Sequence, residues 1–85
     1  MLDGASPAPL DRLSLLSPRE AEVLELASRG FTNSAVAARL NVSVHAVKFH
    51  LAAIYRKLGV ANRTEAAGAY FRAISEAGTT QESVR

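Results

Sequence analysis

Cysteine and tryptophan are both missing from this 85-residue chain, and phenylalanine and tyrosine together make up only 6% of it. Without cysteine there is no disulfide, no thiolate metal site and no cysteine nucleophile. No apolar run approaches the roughly 20 residues that a bilayer-spanning helix needs, so no membrane partner is expected. Nor does the start resemble a signal peptide, because Asp3, Gly4, Pro7 and Pro9 interrupt any apolar region there. The expectation is one small cytoplasmic domain with a compact core.

Acid is missing from one long stretch. Between residues 26 and 64 there is no Asp or Glu, while Arg29, Arg39, Lys48, Arg56, Lys57 and Arg63 fall there together with His45 and His50. The carboxylates lie outside, with Glu20, Glu22 and Glu25 before the stretch and Glu65, Glu76 and Glu82 after it. The net charge is only +2, so its distribution carries the information. A one-signed segment suits a polyanion, since each neutralised phosphate releases condensed counterions. A solvated basic face is the plainer alternative.

The punctuation is helical, and no strand pattern or repeat is present. Residues 10–16 are Leu-rich and read either as a turn of helix or as an extended arm. In "SPRE", Ser17 is an N-cap, Pro18 the first helical residue and Glu20 the returning carboxylate of a capping box. That helix turns Val23, Leu24 and Ala27 inward and ends at Gly30. A second helix follows Thr32 with Val36, Ala37 and Leu40 as its apolar face. "NVS" turns the chain into a third, from Val44 to Leu58, which Gly59 stops. A fourth starts at Asn62 and runs to about Ala77, with Ala67, Tyr70, Phe71 and Ile74 along one side. The class is all-α, a compact four-helix domain over residues 16–77, preceded by an arm or linker (1–15) and followed by a flexible tail (78–85).

Residues 33–52 meet the demands of a helix-turn-helix. Ala37 is small where the two helices cross, Asn41 tolerates the positive φ of the turn, and Val47 is an apolar anchor for the second helix. At about 100° per residue, Val47, Leu51, Ile54 and Leu58 form the inward stripe of the third helix. His45, Phe49, Ala52 and Arg56 lie opposite, with Lys48 on one shoulder and Ala46, Ala53 and Lys57 on the other. Thin residues flanked by cations suit a helix that enters the major groove, where Phe49 can meet thymine methyls. The competing expectation is that Phe49 packs on the N-terminal leucines or on a protein.

"LSPRE", "VLELASRG", "TN", "VAARLNVSVHAVKFH", "IYRKLGV" and "NRTEA" fall in order across residues 16–67. In these motifs the chain resembles the LuxR/GerE-type DNA-binding domain of bacterial transcriptional regulators. The resemblance implies a tetrahelical fold whose third helix reads the major groove of double-stranded DNA. It also implies a homodimer, formed through the fourth helix, on a two-fold-related site. Position by position it assigns base-edge contact to Lys48, Phe49 and Ala52, joined by the outward His45. Phosphate contact falls to Asn33, Ser43 and Lys57, with Thr32, Ser34 and Arg56 beside them. Members of the family often follow an input domain, as the output domain of a response regulator.

The departures are local. The family usually has Thr where Ala46 stands, often Asn where Phe49 stands, and Lys-Glu where Ser34 and Ala35 stand. Fewer polar groups reach the groove, which predicts more methyl contact and shape readout than hydrogen-bonded readout. A small-residue side of the fourth helix, Ala66, Ala69 and Ala73, is the expected dimer surface, with a plain high-propensity solvent face as its alternative. RNA polymerase is a possible further partner. A second function keeps the fold but uses the Phe49 face to bind a regulator or polymerase subunit. Catalysis is not expected: Ser, Thr and carboxylates stand at helix caps, and His45 and His50 are five apart rather than four. No cofactor or metal is expected either.

Overall fold

The computed structural model describes residues 12–84, with side chains described as far as Glu76. Within them lie four helices: α1 (Pro18–Ser28), α2 (Asn33–Leu40), α3 (Val44–Leu58) and α4 (Arg63–Val84). Of the expected arm, residues 1–11 lie outside the described residues. Residues 12–16 form a helical turn, in which the N–H groups of Leu15 and Leu16 donate to the carbonyls of Arg12 and Leu13.

Each helix starts where a side chain satisfies its orphan N–H groups. Ser17 and Glu20 form both halves of the capping box, at 3.1 and 2.9 Å. Thr32 Oγ1 accepts from the N–H of Ala35, Ser43 Oγ from that of Ala46, and Asn62 Oδ1 from that of Glu65. The Glu65 carboxylate reaches one residue further back than a capping box would, to the N–H of Ala61.

Three helices end alike. Gly30, Asn41 and Gly59 adopt left-handed φ values of 93°, 58° and 70°. The next residue in each case, Phe31, Val42 or Val60, donates its N–H back to Leu26, Ala37 or Tyr55 and packs on the core. This closure ties each turn to an apolar contact, so the turn geometry and the core specify one another.

The core centres on Val23, Leu24, Val36, Val47, Ile54 and Leu58, all at or below 1% exposure. Burying each such side chain contributes about 1.5–3 kcal/mol before the entropy of ordering the chain is subtracted. α1 lies against α4 and α3, while α2 packs on α3. Ala37 is buried in α2 and Val47 is fully enclosed, as the helix-turn-helix spacing requires.

Two expectations for α4 are overturned. Ala66, Ala69 and Ala73 are only 2%, 8% and 0% exposed, so they face the interior and are unavailable to a partner. Phe71 and Ile74 stand outside instead, at 51% and 45%. Alanine stripes allow close helix–helix approach, and here that approach is made within the monomer. The helix also continues beyond Ala77 to Val84, through a sequence with no proline to stop it. A smaller correction concerns Ala53, which is buried rather than on an open shoulder.

Candidate nucleic-acid interface

Two elements build the surface. The Asn41 turn sets α3 across α2, so the first turn of α2 and the outer strip of α3 are both left uncovered. His45, Lys48, Phe49, Ala52 and Arg56 are all exposed along that strip. Phe49 is the extreme case, at 72%. It is therefore not core filling. Its ring meets His50 edge-on, with centroids 6.0 Å apart and planes at 68°.

Lys48 and Arg56 have no ion-pair partner among the described residues, whereas Arg19, Arg29 and Lys57 each pair with a glutamate. The strip of α3 thus carries uncompensated positive charge. Thr32 and Ser34 are exposed at the start of α2, and Ser43 at the start of α3. The Thr32 and Ser43 oxygens already accept backbone N–H groups, which leaves their hydroxyl protons free to donate to an anion.

Asn33 and Lys57 are more deeply engaged than the sequence suggests. Asn33 Oδ1 accepts a 2.8 Å hydrogen bond from Arg63 Nη1. The other terminal nitrogen of Arg63 donates to the carbonyls of Phe31 and, at 3.4 Å, Ala27. One guanidinium thereby joins the end of α1, the start of α2 and the start of α4. Lys57 is half-buried, and its ammonium lies 2.8 Å from Glu20, where the expectation had it free for phosphate. The physical reason is a buried carboxylate that needs a counter-charge. The Lys57 hydrogen bond is the main cause that holds the Glu20 carboxyl below its ordinary value; partial burial opposes it, and the Ser17 N–H assists.

Sequence reasoning passed over Arg12, and over the long-range partners of Glu20 and Arg63. Arg12 donates at 2.9 Å to the carbonyl of Leu58, closing the C-terminal end of α3. Arg39 lies over the Phe31 ring, 4.6 Å from its centroid, and lines a groove of about 250 Å³ between α1 and α2 with Glu22, Glu25, Leu26, Arg29 and Leu40. That groove carries both signs of charge, unlike the α3 strip. Among the described residues no helix is long and apolar enough to cross a membrane.

The family described as bacterial regulatory proteins, luxR family, matches residues 14–69. SgaR of Hyphomicrobium methylovorum is 46% identical over 56 residues, which cover 66% of this chain and 26% of that protein. The transcriptional regulatory protein ComA of Bacillus subtilis is 36% identical over 61 residues, covering 72% of this chain and 28% of its own length. The HTH-type transcriptional regulator MalT of Yersinia pestis is 44% identical over 57 residues, 67% of this chain and 6% of MalT. The chain therefore spans no more than 28% of the length of these relatives. No solved structure matches it.

Proposed function

Because the chain belongs to the luxR family of bacterial regulatory proteins, a DNA-binding family and not an enzyme family, we propose that it reads DNA sequence for a transcription regulator by laying α3 in the major groove. The observation that carries this reading is the open strip of α3. Lys48 and Arg56 have no ion-pair partner among the described residues, Ala52 is small enough to let the backbone sink into a groove roughly 12 Å wide, and Phe49 stands clear of the core. Lys48 and Phe49 meet base edges. Thr32, Ser34, Ser43 and Arg56 meet phosphates on either side, and the Asn33 amide joins them from a position that Arg63 holds.

A dimer on a two-fold-related site fits the same reading, with one change of surface. The alanine stripe is internal, so the second copy meets the outer flank of α4 at Phe71 and Ile74, one helical turn apart and about half exposed. Half-sites are then centred about one turn of DNA, roughly 10 bp, apart. Selecting bound duplexes from a random pool at two salt concentrations tests the proposal. A two-fold-related consensus whose binding weakens steeply with salt supports it; recovery of no consensus at either salt rejects it.

A further inference from the structure

The outward strip of α3 holds His45, Lys48, Phe49, Ala52 and Arg56, and no carboxylate, carboxamide or hydroxyl among them. Those missing groups are the ones that pair with adenine and cytosine edges in the major groove. The large apolar group left there is the Phe49 ring, 72% exposed. His50, which is half-buried, meets it edge-on. The charge around the ring favours nucleic acid over a protein as its occupant, since no acidic residue falls between positions 26 and 64 and Lys48 and Arg56 lack ion-pair partners among the described residues.

An exposed apolar ring in the major groove finds one apolar feature on the base edges, the C5 methyl of a pyrimidine. Thymine carries that methyl, and 5-methylcytosine carries it at the same ring position. Resting on the DNA-binding reading above, we propose that Phe49 makes this domain a reader of C5-methylated pyrimidines. Each half-site contains a position where the methyl itself is recognised. There 5-methylcytosine substitutes for thymine better than cytosine does, so methylation of a cytosine at that position strengthens binding. Lys48 and the phosphate contacts supply most of the affinity, and the ring supplies the choice.

The test uses the whole chain and a duplex obtained by selection. Each thymine is replaced in turn by uracil, which keeps every hydrogen-bonding atom and removes only the methyl. One thymine per half-site should then weaken binding about fourfold, equivalent to about 0.8 kcal/mol for one buried methyl. Phe49→Ala should bind the thymine and uracil duplexes equally, and its melting temperature should match wild type because the ring is largely solvent-exposed. At the same position, with guanine opposite, 5-methylcytosine should exceed cytosine by a similar factor in wild type and not in Phe49→Ala. Specific binding that ignores uracil at every position overturns the inference while leaving the DNA reading intact, as does equal uracil sensitivity in Phe49→Ala. Failure to bind any duplex overturns both.

Discussion

The ammonium of Lys57 donates a 2.8 Å hydrogen bond to Oε1 of Glu20, the same oxygen that accepts the N–H of Ser17. One carboxylate thus caps α1 and anchors the last turn of α3, 37 positions away in sequence. The start of the domain and its candidate reading helix share a single charged atom.

Glu20→Gln should therefore destabilise the domain, by about 1–2 kcal/mol for a weakened cap and a lost counter-charge. In a domain of this size that is roughly 5–15 °C in Tm, read by thermal unfolding. Freed from its partner, Lys57 should then bind phosphate, and the variant should gain affinity for scrambled duplexes at low salt. An unchanged Tm would refute the shared role.

The same pair sets a pH dependence. Because the folded state holds the Glu20 carboxyl below its ordinary value of 4.5, its contribution is complete above that value. It is lost as pH falls from 4.5 through the lowered folded-state value. Stability curves of wild type and Glu20→Gln should converge below about pH 4.5 and stay separated at neutral pH.

Arg63 should behave as a positioning residue. Arg63→Lys keeps the charge but loses the planar fork that reaches Asn33 and two carbonyls, so it should recover little of what Arg63→Ala loses. Both should lower Tm and DNA affinity together, while Asn33→Ala should lower DNA affinity with a smaller effect on Tm. Full rescue by lysine would show that charge alone matters.

The two faces of α4 should separate cleanly. Ala73→Leu inserts volume into a closed interior and should destabilise by about 1–3 kcal/mol. Phe71→Ser with Ile74→Ser should leave the fold standing, lower the self-association measured by sedimentation and abolish the advantage of a two-half-site duplex over a single half-site.

The helix-turn-helix was legible because its determinants are local. Ser43, Asn41 and Ala37 declare themselves within a few positions of the turn they make. The α4 face was not. Its sequence offers a stripe of alanines and a separate pair of large apolar residues, and which one turns inward depends on how closely the helix meets its neighbours. Burial preference alone favours Phe71 and Ile74; interhelical distance chose Ala66, Ala69 and Ala73. Lys57 and Arg63 were visible as cations, but their partners Glu20 and Asn33 lie 37 and 30 positions away, beyond any local pattern. Phe49 was the reverse case, since its place away from the apolar stripe of its helix made its exposure legible from local spacing alone.

Amide chemical-shift mapping of the chain with its selected duplex addresses the α3 surface most directly. The largest changes should fall on His45, Lys48, Phe49, Ala52 and Arg56, with a second group at Thr32, Asn33 and Ser34. Changes confined to the α1–α2 groove or to α4, with α3 silent, would contradict it.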